Sequence, residues 1–291
     1  MPKSAASVHC SSRSEALMVD LELTPPVFSI LSSLIEERIG LSYRIEDQSL
    51  LAGKLSVRAA ELGFDSLLDY YYFLRYDPGS EREFDTLADS LVVNETYFFR
   101  EFDALVVLVK QFVAPLVQAG RRPRIWCAAC STGEEPLTLA MLLTEEGLLD
   151  HVELVATDLS HNALGRARSG QHSKRSLRQL PAPELARKWL DCQEHGIRVH
   201  PELQRAVRWQ RLNLLDQASI QALGSFDFIL CRNVLIYFKD DVARKVVQDL
   251  TAQLEPRGAL LIGVSESLLR FGTSLRCEER SGVFLYLKAP T

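Results

Sequence analysis

Ile125-Trp126-Cys127-Ala128-Ala129-Cys130-Ser131-Thr132-Gly133-Glu134-Glu135-Pro136 reads as a buried strand, a turn built on one glycine, and the opening of a helix. An apolar run of strand length that breaks into small residues is what a strand buried in a parallel sheet requires. Downstream, the strand-like runs Val152–Thr157, Phe226–Leu230 and Ala259–Val264 alternate with helical patterns at 134–146, 160–169 and 239–254. Alternation of this kind predicts an α/β domain, a parallel sheet with helices on both faces. Two short runs, Ile197–Val199 and Ala206–Leu212, flank Pro201-Glu202 and predict a β-hairpin inserted at about 192–212. Val283–Leu287 reads as an edge or antiparallel closing strand.

Upstream of the sheet the periodicity is helical throughout. Val27, Ile30, Leu31, Leu34 and Ile35 recur at spacings of three and four and end near Gly40. Leu50, Leu51, Leu55, Ala59 and Leu62 mark a second helix that stops at Gly63, and Leu67, Leu68, Tyr71, Tyr72 and Leu74 a third, broken by Asp77-Pro78-Gly79. A fourth runs from about Glu81 to Val92, and another from Phe102 to Leu116. Residues 1–23 are rich in Ser and Ala without periodicity and read as a disordered tail. The expected organisation is that tail, a helical domain over 24–93, a linker over 94–105, and the α/β domain over 106–291.

A chain of 291 residues with 47% hydrophobic content has room for two cores. A net charge of −5 supplies no general attraction to nucleic acid or anionic lipid. No apolar run reaches the length needed to cross a bilayer, and no apolar core follows the basic residues Lys3 and Arg13 as in a secretory signal. Six scattered cysteines fit reduced thiols in a cytoplasm better than a disulfide scaffold. Cys127 and Cys130 match CxxC, but without a second pair they read as packing at a strand end, and Cys192, His195 and His200 lack the fourth ligand of a zinc site. No metal is expected.

In an open α/β sheet a ligand sits beyond the carboxyl ends of the strands, where strand order reverses, and Gly133 lets the backbone approach it. The turn carries one glycine rather than GxGxxG, and Glu134 and Glu135 open the next helix. Carboxylates there suit the helix dipole but oppose a pyrophosphate. A ligand cationic at one end fits better, and S-adenosylmethionine has that chemistry. Asp158 follows Gly133 by 25 positions (158 − 133), where it can accept hydrogen bonds from a ribose diol. Taken alone, it can equally cap the helix starting near Ser160. Asn213 by itself is a turn residue.

Three strings, Ser90-Leu91-Val92-Val93-Asn94-Glu95-Thr96-Tyr97-Phe98-Phe99-Arg100-Glu101, Ala128 through Pro136, and Cys231-Arg232-Asn233-Val234-Leu235-Ile236-Tyr237-Phe238, together resemble the chemotaxis receptor glutamate methyltransferases of the CheR type. The resemblance runs from about residue 25 to 288. It implies a Rossmann-like class I S-adenosylmethionine-dependent methyltransferase sheet with an N-terminal all-α domain and a small antiparallel β insertion. It further implies S-adenosyl-L-methionine as donor and S-adenosyl-L-homocysteine as product. The cofactor shell it implies is Asn94, Thr96, Arg100, Glu134, Asp158, Asn213, Leu214, Arg232 and Asn233. By their chemistry and place in the strings, Arg100 and Tyr237 are the candidate catalytic residues.

Arg100 would hold the acceptor carboxylate through a bidentate contact, against the alternative of a surface ion pair with Glu101 or Asp103. Tyr237 would present its hydroxyl to donor or acceptor, or plug the site from below. Phe98 and Phe99 would pack the domain interface. No histidine occurs in the three strings, which agrees with an acceptor ionised at neutral pH, since a glutamate titrates near about 4.3. The implied partner is the cytoplasmic methylation helices of methyl-accepting chemoreceptors, met by a monomeric cytoplasmic enzyme with no nucleic acid bound and no membrane insertion. Family members carry a strongly basic second helix; here only Lys54 and Arg58 remain, opposed by Glu61, with Arg44 as a further contributor, so docking charge should be weaker or redistributed. The stretch from Trp189 to Ile197 is short beside members that grip a receptor-tail peptide, implying action without a tether, although an edge strand there could still add a peptide strand. Two other readings stand beside this one: a non-catalytic receptor adaptor that binds the cofactor, and a methyltransferase for another substrate.

Overall fold

The structure is a computed structural model and describes residues 21–290. Four helices form the N-terminal domain: α1 (Pro25–Ile39), α2 (Gln48–Glu61), α3 (Leu67–Tyr76) and α4 (Ser80–Leu91). Their apolar faces close on one core that includes Leu31, Ile35, Leu51, Leu55, Tyr70 and Leu87. One carboxylate is buried with them. Glu83 accepts from the Tyr70 hydroxyl at 2.6 Å and from Arg58 Nε at 3.0 Å, so its charge is matched. Most of the expected tail lies outside the described residues; its last three, Leu21 to Leu23, already pack here, with Leu21 N–H bonded to Ser56 Oγ at 3.1 Å and Leu23 buried.

A linker leads into α5 (Phe102–Val107), a π-helical segment (Leu108–Val113) and α6 (Ala114–Gln118). The second domain then follows as β1 (Arg124–Ala128), α7 (Glu134–Glu145), β2 (Glu153–Asp158), α8 (His161–Ser169), β3 (Gln171–His172), α9 (Pro183–Trp189), β4 (Leu190–Gln193), β5 (Gly196–Val199), α10 (Pro201–Ala206), β6 (Val207–Arg211), α11 (Gln217–Ala222), β7 (Phe226–Cys231), α12 (Asp240–Ala252), β8 (Leu254–Ile262), β9 (Arg276–Arg280) and β10 (Val283–Leu287). Seven strands lie in the order β6-β2-β1-β7-β8-β10-β9. The five from β6 to β8 are parallel, and β10 and β9 close the sheet antiparallel. Successive β1 residues feed opposite faces: Ile125 and Cys127 pack with α5 and α7, while Trp126 and Ala128 pack with α12. The chain runs from β1 outward to β2 and β6, then returns to β7, so the strand order reverses between β1 and β7.

Two expectations are corrected. The predicted hairpin of 197–199 with 206–212 does not form. β5 pairs antiparallel with β4 across the two-residue turn Glu194-His195, and with β3, giving a three-stranded sheet over 171–199. Pro201 starts a short helix instead, and β6 joins the main sheet in register with β2, Leu154 opposite Val207 and Asp158 opposite Arg211. Periodicity located both runs and could not name their partners. Val283–Leu287 is the antiparallel closing strand of the two alternatives expected: it pairs with β8, β9 covers its other side, and the charged Arg276, Glu278, Glu279 and Arg280 blunt the outer edge against pairing. Phe98 and Phe99 are buried in the core of the α/β domain rather than between the domains.

The domains meet on the sheet's ligand-binding edge. Leu41 forms an antiparallel bridge with Phe238, Ser42 N–H donates to the Tyr237 carbonyl at 3.0 Å, and Asn213 Nδ2 donates to the Arg38 carbonyl at 2.7 Å. Lys239 pairs with Glu36 at 2.6 Å, and Arg211 pairs with Asp85. Gly40 sits in this seam at φ +80°, and a Cβ there would lie 3.0 Å from the Phe238 ring and 3.2 Å from Val242. Among the described residues no helix is long and apolar enough to cross a membrane. Gly40→Ala is expected to lower stability by about 1–2 kcal/mol, through left-handed strain plus the forced shift of Phe238. Chemical denaturation checks this, and the loss should fall on the transition that also reports opening of the interdomain cavity.

Candidate active site

A cavity lined by the linker and by both domains opens where the strand order reverses. Its floor is the turn after β1. Ala129 and Ser131 take positive φ, 56° and 52°, and Gly133 takes 92°. This contortion points Ser131 N–H at Asp158 Oδ2, 2.7 Å away, while Ser160 N–H holds Oδ1 at 2.8 Å. Burial pushes the Asp158 carboxyl above its ordinary range, and these backbone bonds oppose the shift without cancelling it. Gly133 is forced by packing as well as by φ. A Cβ there would lie 2.8 Å from Ala167 Cβ and 2.9 Å from the Trp209 ring, so α8 and β6 could not close on the turn.

The opposite wall is the segment after β7. Arg232 is almost fully buried, with Nη1 on Glu135 at 2.6 Å and Nη2 on Glu101 at 2.9 Å and on the Arg100 carbonyl at 2.9 Å. Burial works against its charge, but Glu135 and Glu101 outweigh this and raise its pKa above the usual arginine value. Asn233 has φ 59°, a conformation fixed by Glu266, whose carboxylate accepts from Asn233 N at 2.7 Å, Leu235 N at 2.8 Å and Gly263 N at 2.8 Å. Tyr237 follows, half-buried at the rim. Burial raises its phenol pKa, with Arg100 pulling the other way.

The linker closes the top. Asn94 and Thr96 line the cavity, and Asn94 Oδ1 lies 3.4 Å from Ser131 Oγ. Arg100 lines it too. Its Nη1 donates to the Glu95 carbonyl at 3.0 Å, its guanidinium lies 5.7 Å from the centre of the Tyr97 ring, and among the described residues it makes no ion pair. The alternative pairing with Glu101 or Asp103 therefore does not occur. Behind the linker, Phe98 N–H bonds the Ser176 carbonyl at 2.8 Å and Phe99 N–H bonds Thr138 Oγ1 at 3.2 Å. Asn213 and the buried Leu214 form the apolar end with Ile39, Leu212 and Phe238. Both ends of the Asn213 amide are engaged, one by α1 and one by its own turn at Leu215 N.

Of the residues singled out from sequence, the structure brings Asn94, Thr96, Arg100, Asp158, Asn213, Leu214, Arg232, Asn233 and Tyr237 around one cavity. Glu134 is the exception. It turns beneath the linker, accepting from Thr132 Oγ1 at 2.6 Å and meeting His172 Nδ1 at 3.0 Å, and Glu135 faces the cavity in its place. Burial pushes the Glu134 carboxyl up, but its bonds to His172, Thr132 and Ser176 overcome this and hold it below the ordinary carboxylate value. Two adjacent glutamates on a helix start carry no sequence signal for which one points inward. Glu101, Glu266 and His172 were also not anticipated, because each acts through a long-range contact. The two CxxC thiols are buried, and burial raises both far above the ordinary thiol pKa, which fits packing rather than redox chemistry. Cys192 is exposed on β4, and no group of three or more potential ligands converges among the described residues.

The residues present fit S-adenosylmethionine. The cavity has an acid at the end of β2, an apolar end at Leu212 and Leu214, and carboxylates at the mouth of the turn rather than phosphate donors. The comparisons with known proteins agree. Residues 94–282 match the family described as CheR methyltransferase, SAM binding domain, and residues 26–92 match CheR methyltransferase, all-alpha domain. The chain is 31% identical over 261 residues to chemotaxis protein methyltransferase 2 of Vibrio cholerae, covering 88% of this chain and 90% of that protein. It is 33% identical to chemotaxis protein methyltransferase 1 of Pseudomonas aeruginosa, covering 83% and 90%. It is also 32% identical to the probable biofilm formation methyltransferase WspC of Pseudomonas aeruginosa, covering 81% of this chain and 56% of that protein. With both parts of the fold matched end to end, the chain belongs to the CheR family of S-adenosylmethionine-dependent methyltransferases.

Proposed function

We propose that this enzyme transfers a methyl group to glutamate side chains on the cytoplasmic methylation helices of methyl-accepting chemoreceptors, forming glutamyl methyl esters that adapt a chemosensory pathway. The enzyme would act in the cytoplasm as a monomer, without nucleic acid. The observation that carries the reading is a guanidinium without a carboxylate partner beside a cavity whose described lining holds no free base. Among the described residues Arg100 makes no ion pair, and no histidine or lysine lines the cavity. Of its carboxylates, Glu135 is held by Arg232, Glu95 by Arg178, and Asp158 by two backbone N–H groups.

An amine or hydroxyl acceptor would need a proton removed, whereas a glutamate arrives ionised. S-adenosylmethionine supplies a methyl on a cationic sulfur. Asn94, Thr96, Asp158, Asn213, Leu214 and Asn233 would hold that donor, with Arg232 fixing the wall they stand on. Arg100 would bind the acceptor carboxylate through its fork. Tyr237, protonated at neutral pH, would offer a hydroxyl at the rim. The chain's own contribution is alignment and exclusion of water at the meeting point. Chemotaxis relatives favour this acceptor over other methyltransferase substrates, and the intact Arg100 and Tyr237 favour catalysis over a purely adaptor role.

Incubated with methyl-labelled donor and membranes of the parent cell, the enzyme should label a receptor-sized protein. The label should be released as methanol by mild base, as an ester requires; a base-stable label would overturn the proposal. Arg100→Ala should lose roughly 10²-fold or more in turnover with an unchanged unfolding midpoint. Gly133→Ala should instead lose about 2 kcal/mol of stability and weaken S-adenosylhomocysteine binding, which calorimetry can measure.

A further inference from the structure

The linker has a second face. Asn94, Glu95 and Thr96, which line the cofactor cavity, also form one wall of a separate cleft of about 640 Å³ that is open to solvent. Its other walls come from the end of α8 and from the segment 171–178, and they carry Arg166, Arg175 and Arg178. Arg178 is committed to Glu95. Arg166 and Arg175 are exposed and have no carboxylate partner among the described residues. On the floor, the Glu134 carboxylate is answered by His172 Nδ1 and Thr132 Oγ1. The His172 side chain is 1% exposed and is taken up by Glu134. The anionic preference of the cleft therefore rests on Arg166 and Arg175, the guanidinium groups left once Arg178 has paired with Glu95.

Two of the cations expected to meet an acidic partner, Lys54 and Arg58, are committed inside the fold. On α2, Arg58 is paired with Glu83 and Glu61, and Lys54 Nζ donates to the Leu91 carbonyl at 3.2 Å. We propose that the cleft is a second carboxylate subsite, in which Arg166 and Arg175 hold an acidic side chain of the acceptor segment beside the glutamate that receives the methyl group. The inference rests on the glutamate-methylation reading above and adds a sequence requirement to it. Side chains one turn apart on a helix are about 5–6 Å apart at Cβ. The two clefts share the three linker residues as a common wall, so one acceptor helix can present one acid to Arg100 and the next to Arg166 and Arg175. Arginine suits the task because its planar fork matches a carboxylate.

The test uses the full enzyme and a purified cytoplasmic fragment of the receptor that the labelling experiment identifies. The acid one turn from the methylated glutamate is kept as Glu or changed to Gln. The wild-type enzyme should methylate the Glu fragment with a kcat/KM roughly tenfold higher, the effect of a hydrogen bond to a charged group. Arg166→Gln/Arg175→Gln should bring the ratio near one while S-adenosylhomocysteine affinity stays at the wild-type value. Should the double variant lose that affinity, the exposed Arg175→Gln alone carries the comparison, with a reduced ratio expected. A wild-type enzyme indifferent to the flanking acid, or substituted enzymes that keep the preference, would overturn the subsite and leave the methylation reading intact. No base-labile methyl on either fragment would overturn the methylation reading, and the subsite with it.

Discussion

The buried Arg232 guanidinium is the contact around which the site is assembled. Glu101 comes from the linker, Glu135 from the first turn of α7 and Arg232 from the end of β7, and one guanidinium ties the three together. Each segment alone is a loop or an element end with little reason to hold one conformation. Joined through a side chain that is 2% exposed, they become a rigid collar around the cavity. The arrangement is costly to break rather than strongly stabilising in itself, because removing one partner leaves buried charge uncompensated, at about 3–5 kcal/mol. Such a network confers definition, and definition is what an in-line transfer needs.

The collar also explains where the backbone is strained. Among the described residues seven non-glycine positions have positive φ, and five of them, Phe99, Glu101, Ala129, Ser131 and Asn233, belong to the linker, the β1 turn and the β7 segment. Each costs on the order of 1–3 kcal/mol and survives only where its surroundings insist on it. Glu266 insists on Asn233 with three backbone hydrogen bonds, Asp158 insists on Ser131, and Arg232 insists on Glu101. The interdomain seam at Leu41, Ser42 and Phe238 then fixes Tyr237 from the other side.

The sequence disclosed whatever is governed by local periodicity or by a contiguous string. The four helices of the N-terminal domain, the parallel strands and the switch point could be read from apolar spacing, and nine of the ten named site residues do surround one cavity. The failures arise where local pattern is silent. β5 and β6 were both recognised as strand-like, but the mostly polar β4 carries no strand pattern, which hid the partner of β5 across a two-residue turn, and β6 pairs with β2, distant in sequence. Glu134 and Glu135 are chemically identical neighbours, and only the buried arginine and histidine across the fold decide which faces the cavity. Glu101 and Glu266 escaped notice because an acid becomes a positioning group only when distant backbone folds back onto it.

Charge is sorted across the linker in a way that bears on the chemistry. The cofactor side carries the carboxylates Glu95, Glu135 and Asp158 against Arg100 and the buried Arg232, a small excess of negative charge that favours a cationic donor. The far side carries Arg166, Arg175 and Arg178 against Glu95 and Glu134, the reverse balance. Arg100 stands at the boundary, with its guanidinium near Tyr97, whose ring also faces Arg178 at 5.4 Å. The wall of Asn94, Glu95 and Thr96 thus faces opposite balances of charge on its two sides, and Arg100 brings a positive group to the cavity that otherwise favours a cation.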